Sequence, residues 1–180
     1  QLGSHGPAYF LRTPPAFQKF KPFCHTNQLQ ECSQQEITNA YDNTILYTDY
    51  FISRVIEFLK SHNDQFDASM VYVSDHGESL GENNLYLHGL PYMLAPDQQT
   101  HVPLIMWMGD SFSQRFSINK DCLKSKTQDN FTHDNLFDSL LGMLDVKTSV
   151  YLPQQDIFNS CSGTKAPTPN LVSLYSEENK

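Results

Sequence analysis

Basic residues are scarce in this sequence. Lys and Arg number 12 against 20 Asp and Glu, giving a formal charge of -8, so the basic footprint a nucleic-acid partner needs is missing. Long hydrophobic runs are also lacking. The longest, Val102 to Met108 with Pro103 inside it, is far shorter than the roughly 20 residues that span a bilayer. From Gln1 onward there is no initiator Met, no basic n-region and no apolar h-region, which excludes a signal peptide here and leads us to expect a piece of a longer chain. No internal repeat, CxxC pair or Cys/His zinc ribbon is present.

What is present reads as a folding chain. Its 180 residues are 39% hydrophobic, 12% aromatic and 18% charged, far from a disordered composition and of a size for one domain or part of one. Four cysteines allow three pairings. The short polar segment His25 to Glu31 favours a local bridge between Cys24 and Cys32. Cys122 and Cys161 would then form the second, with the other pairings left open. Bridged cysteines point to an oxidising compartment, the periplasm or the cell exterior.

Along the chain, residues 1 to 32 are rich in Pro, Gly and aromatics and read as a surface-bound loop. Ser33 with Glu36 forms a capping box, after which Ile37, Tyr41, Ile45, Thr48, Ile52, Val55, Ile56 and Leu59 recur at helical spacing. Asp42, Asn43 and Asp49 fall on its polar side and read as a solvated face. Met70 to Ser74 and Val102 to Met108 have the length and composition of buried parallel strands. A helix feeding a strand implies an α/β fold. Thr132 can cap a further helix whose stripe of Leu136, Phe137, Leu140, Leu141 and Leu144 reads as core. Beyond Gly163 a loosely held tail is expected.

The chemistry concentrates after the first strand, in Ser74-Asp75-His76-Gly77-Glu78-Ser79-Leu80-Gly81-Glu82, with His88 twelve residues after His76. Ligands of α/β folds gather beyond the carboxyl ends of strands, and carboxylate and imidazole are both zinc ligands. Gly77 would let the chain turn so that neighbouring side chains converge on one ion. A separate loop, Gly3-Ser4-His5-Gly6-Pro7, supplies a third glycine-bounded histidine. His25, His62, His101 and His133 stand in polar or cap-like settings and read as surface residues.

Four ordered motifs, Gly3 to Pro7, Tyr41 to Leu46, Ser74 to Asn83 and Tyr86 to Gly89, resemble the catalytic domain of phosphoethanolamine transferases that act on lipid A. These are members of the alkaline phosphatase and sulfatase superfamily. The resemblance runs from Gln1 to about Cys161 and includes the Cys24 and Cys32 pair. Asp-His-Gly alone would identify only the superfamily; the full set narrows it to transferases that include the mobile colistin-resistance enzymes.

The resemblance implies a three-layer sheet-and-helix α/β sandwich, present here only in part. Residues 1–163 would be the carboxyl-terminal portion of the catalytic domain and 164–180 its tail, with the upstream half and a membrane domain absent. It implies that Asp75 and His76 hold the catalytic zinc, and that His5 and His88 lie by the transferred phosphoryl group or hold additional zinc. The family moves phosphoethanolamine from phosphatidylethanolamine to a threonine and then to a lipid A phosphate, at the periplasmic face of the bacterial inner membrane. That threonine and a glutamate ligand precede Gly3 in the family pattern. The fragment alone is therefore expected to be inert. The rival readings are another hydrolase or lipid phosphotransferase of the superfamily, and a non-catalytic metal- or anion-binding fragment.

Overall fold

The computed structural model describes residues 3–163, so the expected tail at 164–180 lies outside the described residues. Two compact units are present: residues to Asp64 with Ser69–Trp107, and Gln65–Ala68 with residues from Met108 onward.

The first unit opens with a segment that is less loop-like than its composition predicts. It holds a short helix, α1 (Tyr9–Arg12), and two single 3-10 turns at Pro15–Phe17 and Leu29–Glu31. Proline confines most of the rest to irregular backbone, whose polar groups must find partners elsewhere. Helix α2 (Gln34–Lys60) supplies them. It starts where the capping box predicts, Ser33 and Glu36 each accepting from the other's backbone amide, and buries Ile37, Ala40, Thr44, Thr48 and Ile52 on one side.

Asn43 corrects the expected solvated face: it is 1% exposed, its Oδ1 accepting from the amides of Lys19 and Phe20 at 2.7 and 2.9 Å and its Nδ2 donating to the Phe20 carbonyl at 3.0 Å. Asn39 Nδ2 likewise donates to the Pro22 carbonyl at 2.6 Å. The helix's amides thus replace the ladder that the proline-rich segment cannot form. Tyr9, Phe23, Cys24, Leu29, Ile37 and Ala40 make the core between this segment and α2. The Cys24–Cys32 disulfide closes beside it.

Strand β1 (Ser69–Val73) follows, then the two-residue strands β2 (Ser79–Leu80) and β3 (Tyr86–Leu87), the short helix α3 (Asp97–Thr100) and strand β4 (Leu104–Met108). Both long strands lie where the apolar runs predict them, and β1 pairs with β4. Every residue of β1 is only half-buried. A two-stranded sheet leaves each strand an open edge, so the full burial expected from the sequence is not reached among the described residues.

The second unit carries α4 (Asp110–Arg115), α5 (Lys120–Ser125) and α6 (Asp134–Met143), and the Cys122–Cys161 disulfide ties α5 to the 3-10 turn at Asn159–Cys161. Helix α6 corrects the sequence reading. Phe137, Leu140 and Leu144 are exposed, while Asp138, Ser139, Gly142 and Met143 are buried. Asp138 accepts from the Leu152 amide at 2.7 Å and Ser139 from the Ile157 amide at 2.9 Å. The irregular segment 152–158 needs acceptors for its backbone, and α6 turns its polar side toward it to provide them. No helix among the described residues is long and apolar enough to cross a membrane.

Candidate metal centre

The site is built on a hairpin in the first unit. Strand β2 pairs antiparallel with β3, Ser79 opposite Leu87 and Leu80 opposite Tyr86; one step further out, that register sets Glu78 opposite His88. The ends are joined through Gly81, whose φ of 116° is open to glycine and strained for other residues. The amide of Gly81 donates to the Leu85 carbonyl at 2.8 Å. Leu87, just before His88, has a φ of 64°, a region a branched side chain rarely occupies; its packing against the core offsets that strain.

Asp75, His76 and Gly77 leave the end of β1 and turn beneath α3. Gly77 donates to the Gln99 carbonyl at 2.9 Å, and a Cβ on it would lie 2.1 Å from the Gln98 carbonyl oxygen. No side chain fits there. Gln99 Nε2 also donates to Ser79 Oγ at 2.9 Å, so α3 fixes the loop at both ends of Glu78.

His5 comes from the loop before α1 and completes a group of three imidazoles. One ligating nitrogen from each of His5, His76 and His88 lies within 4.8 Å of the others, against about 3.4 Å for nitrogens sharing one zinc at about 2.1 Å. The rings of His76 and His88 are 3.8 Å apart, and that of His5 is 5.9 and 5.0 Å from them. Nδ1 of His5 meets the Gly6 carbonyl at 2.7 Å, and Nδ1 of His76 meets the Gly77 carbonyl at 2.9 Å. Nδ1 of His88 meets Glu78 Oε1 at 3.1 Å. A carbonyl or carboxylate oxygen accepts, so each Nδ1 carries the proton and each Nε2 keeps its lone pair for a metal. The donor set fits zinc.

Glu78 underlies this arrangement. It is 7% exposed. Besides His88, its Oε1 accepts from the Gly6 amide at 3.2 Å and its Oε2 from the Tyr9 hydroxyl at 3.0 Å. Burial, and then the Glu78 charge, push the Tyr9 hydroxyl far above the ordinary tyrosine range, so Tyr9 stays a donor. Tyr41, edge-on to Tyr9 at 5.6 Å, is raised for the same two reasons in the same order.

Of the residues predicted from sequence, His5, His76 and His88 come together. Asp75 stands at the rim, its side chain 91% exposed and its Oδ1 3.9 Å from His76 Nε2. Glu78 was not predicted as a site residue, although it lies inside the motif. The signal was the Gly81–Asn84 turn, which sets the hairpin register and so places Glu78 across from His88.

Comparison with known proteins gives the family of the chain. The Sulfatase family profile matches residues 1–146. The chain belongs to the sulfatase family. Within and around that family, it is 50% identical over 161 residues to the phosphoethanolamine transferase EptA of Salmonella typhimurium, covering 89% of this chain and 29% of that protein. It is 45% identical over 146 residues to the phosphatidylethanolamine transferase Mcr-1 of Escherichia coli, covering 81% and 26%. The chain therefore spans less than a third of the length of these relatives. Among solved structures, the soluble domain of lipooligosaccharide phosphoethanolamine transferase A from Neisseria meningitidis superposes with a TM-score of 0.86 at 44% identity, covering 91% of this chain and 49% of that one. The periplasmic domain of EptC from Campylobacter jejuni gives 0.80 at 46% identity, covering 92% and 51%. The fold is thus part of the sulfatase-family α/β domain, as the sequence led us to expect.

Proposed function

We propose that this chain is the carboxyl-terminal part of the catalytic domain of a zinc-dependent phosphoethanolamine transferase. The donor is phosphatidylethanolamine and the acceptor a lipid A phosphate, and the protein works at the periplasmic face of the bacterial inner membrane, where it confers polymyxin and colistin resistance. The observation that carries this reading is the three-imidazole group beside Asp75 in a chain about half identical to a phosphoethanolamine transferase over 161 residues.

In this reading Asp75 and His76 hold the catalytic zinc, and His5 and His88 take the phosphoryl group or additional zinc. Zinc bound there would withdraw charge from phosphoryl oxygens and lower the pKa of a nucleophilic hydroxyl. The chain's own residues prepare for this: each imidazole is held in one tautomer through Nδ1, and Glu78 keeps His88 and the His5 loop in place without facing the solvent. The region upstream in the relatives would supply a nucleophilic threonine, a glutamate ligand and a membrane-spanning domain.

Expressing the intact protein in a polymyxin-susceptible bacterium and weighing its lipid A by mass spectrometry tests the proposal. Phosphoethanolamine-bearing lipid A and a rise in the polymyxin concentration tolerated are expected. Unmodified lipid A from a folded, membrane-inserted, zinc-loaded protein would overturn it. The isolated chain is expected to show neither transfer nor phosphodiester cleavage.

A further inference from the structure

Glu78 is a junction of three chain segments. It takes bonds from residues 72, 69 and 10 positions away, namely the Gly6 amide, the Tyr9 hydroxyl and the His88 ring. A carboxylate can turn about its last torsion, and a partial turn would swing Oε1 out of line with the His88 ring and the Gly6 amide. The hydroxyl on Oε2 opposes that rotation. Tyr9 can do so because it is itself immobile: 1% exposed, packed in the core beneath the site and edge-on to Tyr41.

We propose that Tyr9 is a positioning residue of the metal centre, whose hydroxyl fixes the Glu78 carboxylate and through it the His88 ring and the His5 loop. This rests on the reading that the imidazole group holds zinc. Tyr9 meets the site through Glu78. It acts at one remove, and nothing in its own sequence context marks it within a segment that reads as a surface-bound loop.

The test uses the intact protein and zinc itself, with affinity measured by competition against a chromophoric chelator and the thermal midpoint measured on zinc-free protein. Tyr9→Phe keeps the ring and removes only the hydroxyl. It should weaken zinc binding about 10-fold, and Glu78→Gln by about 10- to 100-fold, the range found for partners that orient metal-bound histidines. The double variant Tyr9→Phe/Glu78→Gln should bind no worse than Glu78→Gln alone, since Tyr9 acts only through Glu78. Tyr41→Leu loosens the packing around Tyr9 without removing a Glu78 bond; it should lower the midpoint and leave zinc affinity unchanged. Wild-type zinc affinity in Tyr9→Phe, additive losses in the double variant, or an equal loss in Tyr41→Leu would each overturn the role of Tyr9. Wild-type protein that binds no zinc would instead overturn the metal reading.

Discussion

Glu78 in the first unit and Asp156 in the second are both buried carboxylates that accept from a tyrosine hydroxyl and a backbone amide. For Glu78 the donors are Tyr9 and Gly6, at 3.0 and 3.2 Å. For Asp156 they are Tyr151 and Phe158, at 2.7 and 2.8 Å. The remaining neighbour separates them. Glu78 Oε1 also takes the Nδ1 proton of His88, whose ring belongs to the imidazole group. Asp156 instead lies against helix α6, where a Cβ on Gly142 would sit 1.9 Å from its Oδ2. One pair holds a ring of the imidazole group; the other staples an irregular segment to a helix. A buried tyrosine–carboxylate pair is therefore not by itself a mark of function, and what the carboxylate's remaining bond holds decides it.

The comparison can be broken most severely at the ligand. In the intact protein, His76→Ala should lose bound zinc and cut transfer on the order of 100-fold or more, with the midpoint of the zinc-free protein little changed; near-normal zinc by elemental analysis and a near-normal rate would contradict the assignment. The next test is a matched pair. Glu78→Gln should depress zinc affinity, whereas Asp156→Asn should leave it intact and cost about 1–3 kcal/mol of unfolding free energy, the range for a buried hydrogen-bonding group left without its partner. Urea titration and chelator competition on both variants separate these outcomes, and a zinc defect in Asp156→Asn would erase the distinction.

The glycines sharpen the contrast. Gly77→Ala and Gly142→Ala each force a Cβ into an occupied place, so both should destabilise by about 1–3 kcal/mol, but only Gly77→Ala should also weaken zinc binding.

The smallest effect lies at high pH. Burial, the bond to Asp156 and its charge push Tyr151 up to about 12, against about 10 in the unfolded chain. A raised pKa gives stability that is whole below pH 10 and is lost as pH rises toward 12. Tyr151→Phe should flatten that limb of the urea midpoint measured from pH 9 to 12. An unchanged slope would show that Tyr151 is not its source.

The legible parts of this molecule are those in which neighbours in sequence do the work. The Ser33–Glu36 box and the stripe from Ile37 announce α2, the two apolar runs mark β1 and β4, and short spacing brings Cys24 to Cys32. His5, His76 and His88 could be named because each stands beside a glycine in one of the ordered motifs that match the family. Asn43, the inverted face of α6 and the Tyr9–Glu78 pair were hidden for a common reason. In each a polar side chain is buried to satisfy a group far away in the chain, and periodicity counts such residues as solvent-facing. Strands β2 and β3, at two residues each, are too short for alternation to register.

The junction at Glu78 also carries a consequence for the order of events in folding. Helix α2 closes through contacts within a few residues of one another, whereas the bonds at Glu78 from Gly6 and Tyr9 span 72 and 69 residues. Such long loops lose far more chain entropy before any contact rewards them. The helix can therefore form while the imidazoles are still scattered, and the ability to capture a metal ion should emerge among the last properties the chain acquires.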